Sequence, residues 1–186
     1  MIFARADNIM LSDNSEVVGM SYINQFEIER KFLIRMPDIA YLGRDGELSH
    51  IVQTYLKTED GSERVRKRGR EGGYTYTHTV KKRLSDLRRI EQERVISEGE
   101  YLALLRLADP DMSTIYKDRY CIDYMGQILE IDIFPFYSDR AFLEIELSDE
   151  SQQIFIPPWI DVIKEVTEDK RYTNAALARN IPYDPI

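Results

Sequence analysis

The sequence predicts an α+β domain in which antiparallel strands dominate. Two observations carry that reading. From Phe26 onward, short runs of alternating side chains follow one another, separated by turn signals. Within several of those runs the charged residues hold one parity and the apolar residues the other, which is the period of a strand with unlike faces.

The runs are 25–34, 50–57, 63–70, 74–82, 88–96, 115–124, 127–134 and 141–147. Gly43–Gly46, Asp60-Gly61, Gly72-Gly73 and Met125-Gly126 punctuate them. Asp60-Gly61 and Gly72-Gly73 suit hairpin turns, because glycine accepts the positive φ that tight turns require. Helices are fewer. Ser97 followed by Glu100 reads as a capping box. The stripe Tyr101, Leu102, Leu104, Leu105 and Ala108 continues that helix until Asp109-Pro110 closes it. A second helical piece is expected after Pro157-Pro158, around Trp159, Ile160 and Ile163. A third is expected from about Asp169 to Arg179. Residues 1–24 carry no sustained period and read as an N-terminal tail or extension, with one domain over 25–182.

The chain of 186 residues is long enough to bury a sizeable core. Thirty-three acids against 25 bases give a net charge of −8. That balance argues against a general DNA-coating or membrane-surface role, although 25 bases can still cluster locally. A single cysteine, Cys121, excludes an intramolecular disulfide. No apolar run approaches the length of a membrane span, and the N-terminus lacks the pattern of a signal peptide, so the expected location is the cytoplasm.

The parity of the charges is the informative feature. Glu27, Glu29 and Lys31 share a face, as do Arg64, Arg66 and Arg68, then Arg89, Glu91 and Glu93. Lys117 with Arg119, Glu130 with Asp132, and Glu144 with Glu146 behave likewise, and Lys81 follows Thr75, Thr77 and Thr79. Leu129, Ile131, Ile133, Leu143, Ile145 and Leu147 take the opposite parity. Two carboxylates at i and i+2 lie about 6–7 Å apart and repel by about 2–2.5 kcal/mol at an effective dielectric near 20. Four such pairs on one face call for cations: nearby bases, together with hard divalent metal that prefers carboxylate oxygen. Charges on the wet face of a sheet are ordinary. Segregation of the signs into like-charged pairs is less so, and it suits a ligand that joins anionic groups to bridging metal.

The pentapeptide EIERK at 27–31 resembles the ExExK signature of the CYTH superfamily, the triphosphate tunnel metalloenzymes. The resemblance continues through RVRKR (64–68), TVK (79–81), RIEQE (89–93), KDR (117–119), EID (130–132), LEIE (143–146) and KEVTEDKRYTN (164–174). It implies a closed eight-stranded antiparallel β tunnel with flanking helices, the ionic face turned inward. It implies further that Lys31, Arg64, Arg66, Lys81, Lys117, Arg119 and Lys164 hold phosphate oxygens. Glu27, Glu29, Glu144 and Glu146 then hold a metal, Mg²⁺ or Mn²⁺. Glu91, Glu93, Glu130 and Asp132 are the catalytic candidates, for a second metal or for placing the attacking water.

The implied activity is metal-dependent hydrolysis of a small-molecule triphosphate. The alternatives are an adenylyl cyclase using the same cradle, a non-catalytic polyphosphate-binding module, or an open sheet with merely solvated charges. A membrane partner is not expected, nor a nucleic acid apart from an RNA 5′-triphosphate end; a homodimer is left open. His78 has the parity opposite Lys81 and is expected to pack outward, Cys121 is in phase with Lys117 and Arg119, and Tyr74 and Tyr76 are expected to pack across strands.

Overall fold

The computed structural model describes residues 28–59, 61–83 and 89–186, the side chains at 82, 83 and 89–91 excepted. The expected tail at 1–24, Glu27 and Asp60 of the predicted hairpin turn lie outside the described residues. All eight runs form strands: β1 (Ile28–Arg35), β2 (Glu47–Leu56), β3 (Ser62–Arg70), β4 (Gly73–Arg83), β5 (Arg89–Ile96), β6 (Ile115–Tyr124), β7 (Gln127–Ile133) and β8 (Arg140–Leu147). A ninth strand, β9 (Val162–Glu165), joins them in one sheet of order β5-β4-β3-β2-β6-β7-β8-β1-β9.

The sheet is open, which corrects the expected closed tunnel of eight strands. The reason is a strand that the sequence disguises. Trp159, Ile160 and Ile163 read as helical, but the chain turns after Pro157-Pro158 and Val162–Glu165 run straight. A strand has only two hydrogen-bonding edges. β8 takes one edge of β1, and β9 takes the other over Phe32–Ile34, with an irregularity between Leu33 and Ile34. That stretch of β1 therefore has no edge left for β5.

Hairpins follow their turn residues. Met125 and Gly126 both have positive φ, 54° and 77°, the signature of the type I′ turn that matches strand twist, and they join β6 to β7. Gly72, at φ 88°, turns β3 into β4.

Among the described residues three α-helices cover the outer face and one end. α1 (Ile39–Asp45) occupies most of the segment expected to be a turn at Gly43–Gly46. Asp38 starts it by accepting the N–H groups of Ala40 and Tyr41. Gly46 ends it, where a Cβ would stand 2.7 Å from the Leu42 carbonyl oxygen. Leu42 is fully buried and docks the helix, a contribution of about 1.5–3 kcal/mol. α2 (Glu98–Leu104) begins at Ser97, whose hydroxyl accepts the Glu100 N–H at 3.1 Å as expected. The Glu100 carboxylate turns to Arg94 instead of completing the box. The third expected helix divides into a 3₁₀ turn at Lys170–Tyr172 and α3 (Asn174–Leu177), because Thr173 is extended between them and caps α3. Among the described residues no helix is long and apolar enough to cross a membrane.

The apolar parity forms the core beneath α1: Phe32, Ile34, Leu129, Ile131, Leu143 and Ile145 pack with Leu42 and Ile160. The inner parity is not ionic throughout. At one end Leu33, Tyr55, Phe134 and Phe142 gather around Tyr172 and Leu177 of the C-terminal segment. This apolar plug forms a floor beside the charges.

Candidate active site

The sheet curls so that β1–β8 and the segment from Val166 line one cavity of about 580 Å³. Lys31, Arg64, Arg66, Lys81, Lys117 and Arg119 line it, as do Glu29, Glu93, Glu130, Glu144 and Glu146. Strand parity brings them together, since every one has the inward phase of its strand. Lys31, Lys117, Arg119 and Glu144 are 7, 4, 8 and 6 % exposed. Charges on a merely wet sheet would not be so enclosed.

Arg119 is the hub. Its guanidinium bonds Glu130, Asp132 and Glu144, with Nε to Asp132 Oδ1 at 2.6 Å and Nη2 to Asp132 Oδ2 at 2.7 Å. Lys31 Nζ meets Glu144 Oε1 at 2.8 Å, and Lys117 bonds Asp132. Burial opposes the charge of Glu144, but Lys31, Lys117 and Arg119 outweigh it and hold its pKa well below the usual carboxylate range. Burial likewise opposes the Arg119 charge, and Asp132, Glu144 and Glu130 override it. Lys117 is different: burial prevails over Asp132 and Glu144 and pushes its ammonium down to about 8.

The opposite wall is cationic. Burial, with the neighbouring charges of Arg64, Arg119 and Arg68, pushes Arg66 down to about 10. Gln53, 1 % exposed, accepts from Arg66 Nε at 3.3 Å and Nη2 at 3.2 Å, and donates to the Tyr55 hydroxyl at 2.8 Å. Glu93 accepts from Thr79 Oγ1 at 2.6 Å and stands 3.9 Å from Arg64. Sequence reasoning passed over Gln53, and it placed Thr79 on the charged face without a role. The available signal was a glutamine in phase with Ile51 and Tyr55, and a threonine in phase with Lys81.

The cavity's acids pair across strands as potential metal donors. Glu29 lies directly opposite Glu146 across β1 and β8, and Glu130 directly opposite Glu144 across β7 and β8. Like charges at paired positions are unfavourable without a cation, and an all-carboxylate donor set fits a hard divalent ion. Among the described residues no three acids converge into a ligand cluster, because protein cations draw Glu130 and Glu144 aside.

The chain is 38% identical over 163 residues to an inorganic triphosphatase of Nitrosomonas europaea, covering 84% of this chain and 99% of that protein. The chain belongs to the CYTH family, the triphosphate tunnel metalloenzymes. The crystal structure of the inorganic triphosphatase NE1496 superposes with a TM-score of 0.59 at 32% identity, over 86% of this chain and 98% of that one. A second crystal structure, of the hypothetical protein NE1496, gives 0.56 at 33%, over 84% and 100%. No family model matches the chain.

Two described residues expected at the site of this CYTH chain, Asp132 and Lys164, do not line the cavity. Glu27 lies outside the described residues, as does the side chain of Glu91. Asp132 is completely buried behind Lys117 and Arg119. Lys164 stands on edge strand β9, where its ammonium meets Asp184 at 2.9 Å and covers the Tyr172 ring. Asp184 also accepts the Tyr172 hydroxyl at 2.8 Å, so Lys164 helps to clasp the C-terminal segment onto the apolar plug.

His78 packs outward against Glu63 at 2.7 Å, and Tyr76 lies on Tyr101 of α2, their ring centroids 5.0 Å apart. Cys121 is half-buried near Glu130 and Arg68, and burial raises its thiol pKa.

Proposed function

We propose that this CYTH chain hydrolyses the terminal phosphoanhydride of a triphosphate, inorganic triphosphate first, with a divalent cation. The observation that carries the reading is the enclosure of Lys31, Lys117 and Arg119 in one cavity with Arg64, Arg66 and Lys81. The name of the 38%-identical relative supports the substrate class.

In this reading Lys31, Lys81 and Lys117 supply point charges, and Arg64, Arg66 and Arg119 supply planar forks that grip phosphate oxygens in pairs. Glu29, Glu144 and Glu146, with Glu27, would hold Mg²⁺ or Mn²⁺, which when bound neutralises the phosphate oxygens and draws charge from the leaving group. Glu93 and Glu130, with Glu91, orient the attacking water and accept its proton. The water oxygen bonds to the terminal phosphorus, the bridging P–O bond breaks, and orthophosphate and pyrophosphate leave. Fixed cations around the transferring group stabilise the transition state without reorganising. Asp132 touches no substrate; it positions Lys117 and Arg119. Lys164 acts through the C-terminal clasp.

The test is product identification. Purified protein with Mg²⁺ or Mn²⁺ should release orthophosphate and pyrophosphate from inorganic triphosphate, and Arg66→Ala should reduce kcat/KM by about 10²-fold or more. Cyclic AMP from ATP, or tight binding without turnover, would reject hydrolysis.

A further inference from the structure

Glu93 differs from two other acids of the cavity in what holds it. Protein cations grip Glu130 and Glu144, through Arg119 and Lys31. Glu93 has the Arg64 guanidinium only at 3.9 Å, beyond hydrogen-bond reach. Its Oε2 accepts from the hydroxyl of Thr79, at 2.6 Å. Thr79 is 1 % exposed, whereas the Glu93 side chain is 38 % exposed.

Register dictates this pairing. Thr79 stands directly opposite Arg64 of β3 on one side and Glu93 of β5 on the other. Arginine offers donors only and a carboxylate acceptors only, so the single hydroxyl proton has one cross-strand destination. Two residues earlier the same residue type behaves differently. Thr77 faces Val95, and its Oγ1 is buried with no hydrogen-bond partner among the described residues. A threonine on this face is therefore not bonded by its place alone; the bond at Thr79 exists because Glu93 is there.

β5 is the outermost strand of the sheet, laddered to β4 alone among the described residues. A glutamate on such a strand keeps several side-chain torsions and has open solvent to turn into. The Thr79 bond removes that freedom. It does so from a buried, β-branched side chain that is itself stiff at χ1. The donor is neutral, so it fixes the carboxylate without cancelling its charge.

We infer that Thr79 is a positioning residue for hydrolysis: its hydroxyl holds the Glu93 carboxylate turned into the cavity, where Glu93 orients the attacking water. This rests on the triphosphatase reading above. Thr79 acts through Glu93 and not on the substrate.

The experiment is steady-state hydrolysis of inorganic triphosphate with Mg²⁺ by wild type, Thr79→Val and Thr79→Ser, each also made in a Glu93→Ala background, with orthophosphate release as the readout. Thr79→Val keeps the shape of the side chain and deletes the donor. It should lower kcat about 10- to 30-fold, the worth of one hydrogen bond to a charged group, and leave KM within about twofold. Thr79→Ser should restore most of kcat. In the Glu93→Ala background Thr79→Val should cost less than about twofold, because the carboxylate it acts through is gone. A loss of the same size in both backgrounds, no loss in either, a change confined to KM, or Thr79→Ser as slow as Thr79→Val overturns the inference while the triphosphatase reading stands. Failure of wild type to release orthophosphate overturns both. Should Thr79→Val not fold, Thr79→Ser should turn over about tenfold faster than Thr79→Ala, and equal rates overturn the inference.

Discussion

Arg119 and Asp132 form a two-pronged buried pair, Nε to Oδ1 at 2.6 Å and Nη2 to Oδ2 at 2.7 Å, across neighbouring strands β6 and β7. Asp132 is wholly buried and also holds Lys117. Removing one partner of such a pair leaves the others charged and enclosed, which costs about 3–5 kcal/mol. Asp132→Ala should therefore lower the urea midpoint at unchanged slope and lose triphosphate affinity with it. An unchanged midpoint would deny Asp132 its positioning role.

Lys117 gives the site a pH dependence. Burial lowers its pKa from 10.5 to about 8. Below pH 8 the ammonium is charged in both folded and unfolded chains, and the cost of burying it is borne in full. Between about 8 and 10.5 the unfolded chain binds the proton and the folded chain does not, so this residue's contribution to stability rises with pH. In the proposed reading Lys117 binds phosphate in its charged form. Triphosphate affinity should fall above pH 8, by up to tenfold per unit, and binding there should take up a proton. Calorimetry in buffers of different ionisation enthalpy measures that uptake, and Lys117→Met should abolish it.

In the proposed reading Glu144 links anion to metal. Lys31 bonds its Oε1 and Arg119 its Oε2, the same cations assigned to phosphate. A phosphate that recruits those cations releases the carboxylate for a divalent ion, and linkage makes the effect reciprocal. Mn²⁺ titrated alone should bind weakly, and at least tenfold more tightly with a non-hydrolysable triphosphate analogue present. Electron paramagnetic resonance of free Mn²⁺ reads both. Equal affinities would show that the ion pairs do not guard Glu144.

Gly69 is a structural requirement of the β3–β4 hairpin. Its φ is +146°, and a Cβ there would stand 2.1 Å from the Gly73 carbonyl oxygen. Gly69→Ala should destabilise by about 1–3 kcal/mol or more, through backbone strain and collision. Gly43→Ala, with open space around its Cβ position and a helical backbone, should be neutral or stabilising. Thermal unfolding of the two variants separates the effects.

Strand periodicity made much of this legible from the chain alone. Arg64 and Arg66, Lys117 and Arg119, and Glu144 and Glu146 each keep one parity, and each reaches the cavity. Leu129, Ile131, Leu143 and Ile145 keep the other and fill the core. Alternation is a local property, carried by the two-residue period of an extended backbone. The disguised strand β9 shows the limit: four residues with mixed burial carry too few alternations to be told from one helical turn, and only the free edge of β1 settles them.

The order of residues thus determined which side chains share a face. It did not determine which partners they meet, because strand order and register bring together residues far apart in the chain. Those long-range pairings placed Glu29 opposite Glu146, gave Arg119 three carboxylates, hid Asp132 beneath two cations and drew Lys164 to Asp184. They also left the sheet open, since hydrogen-bonding edges are finite and β9 reached β1.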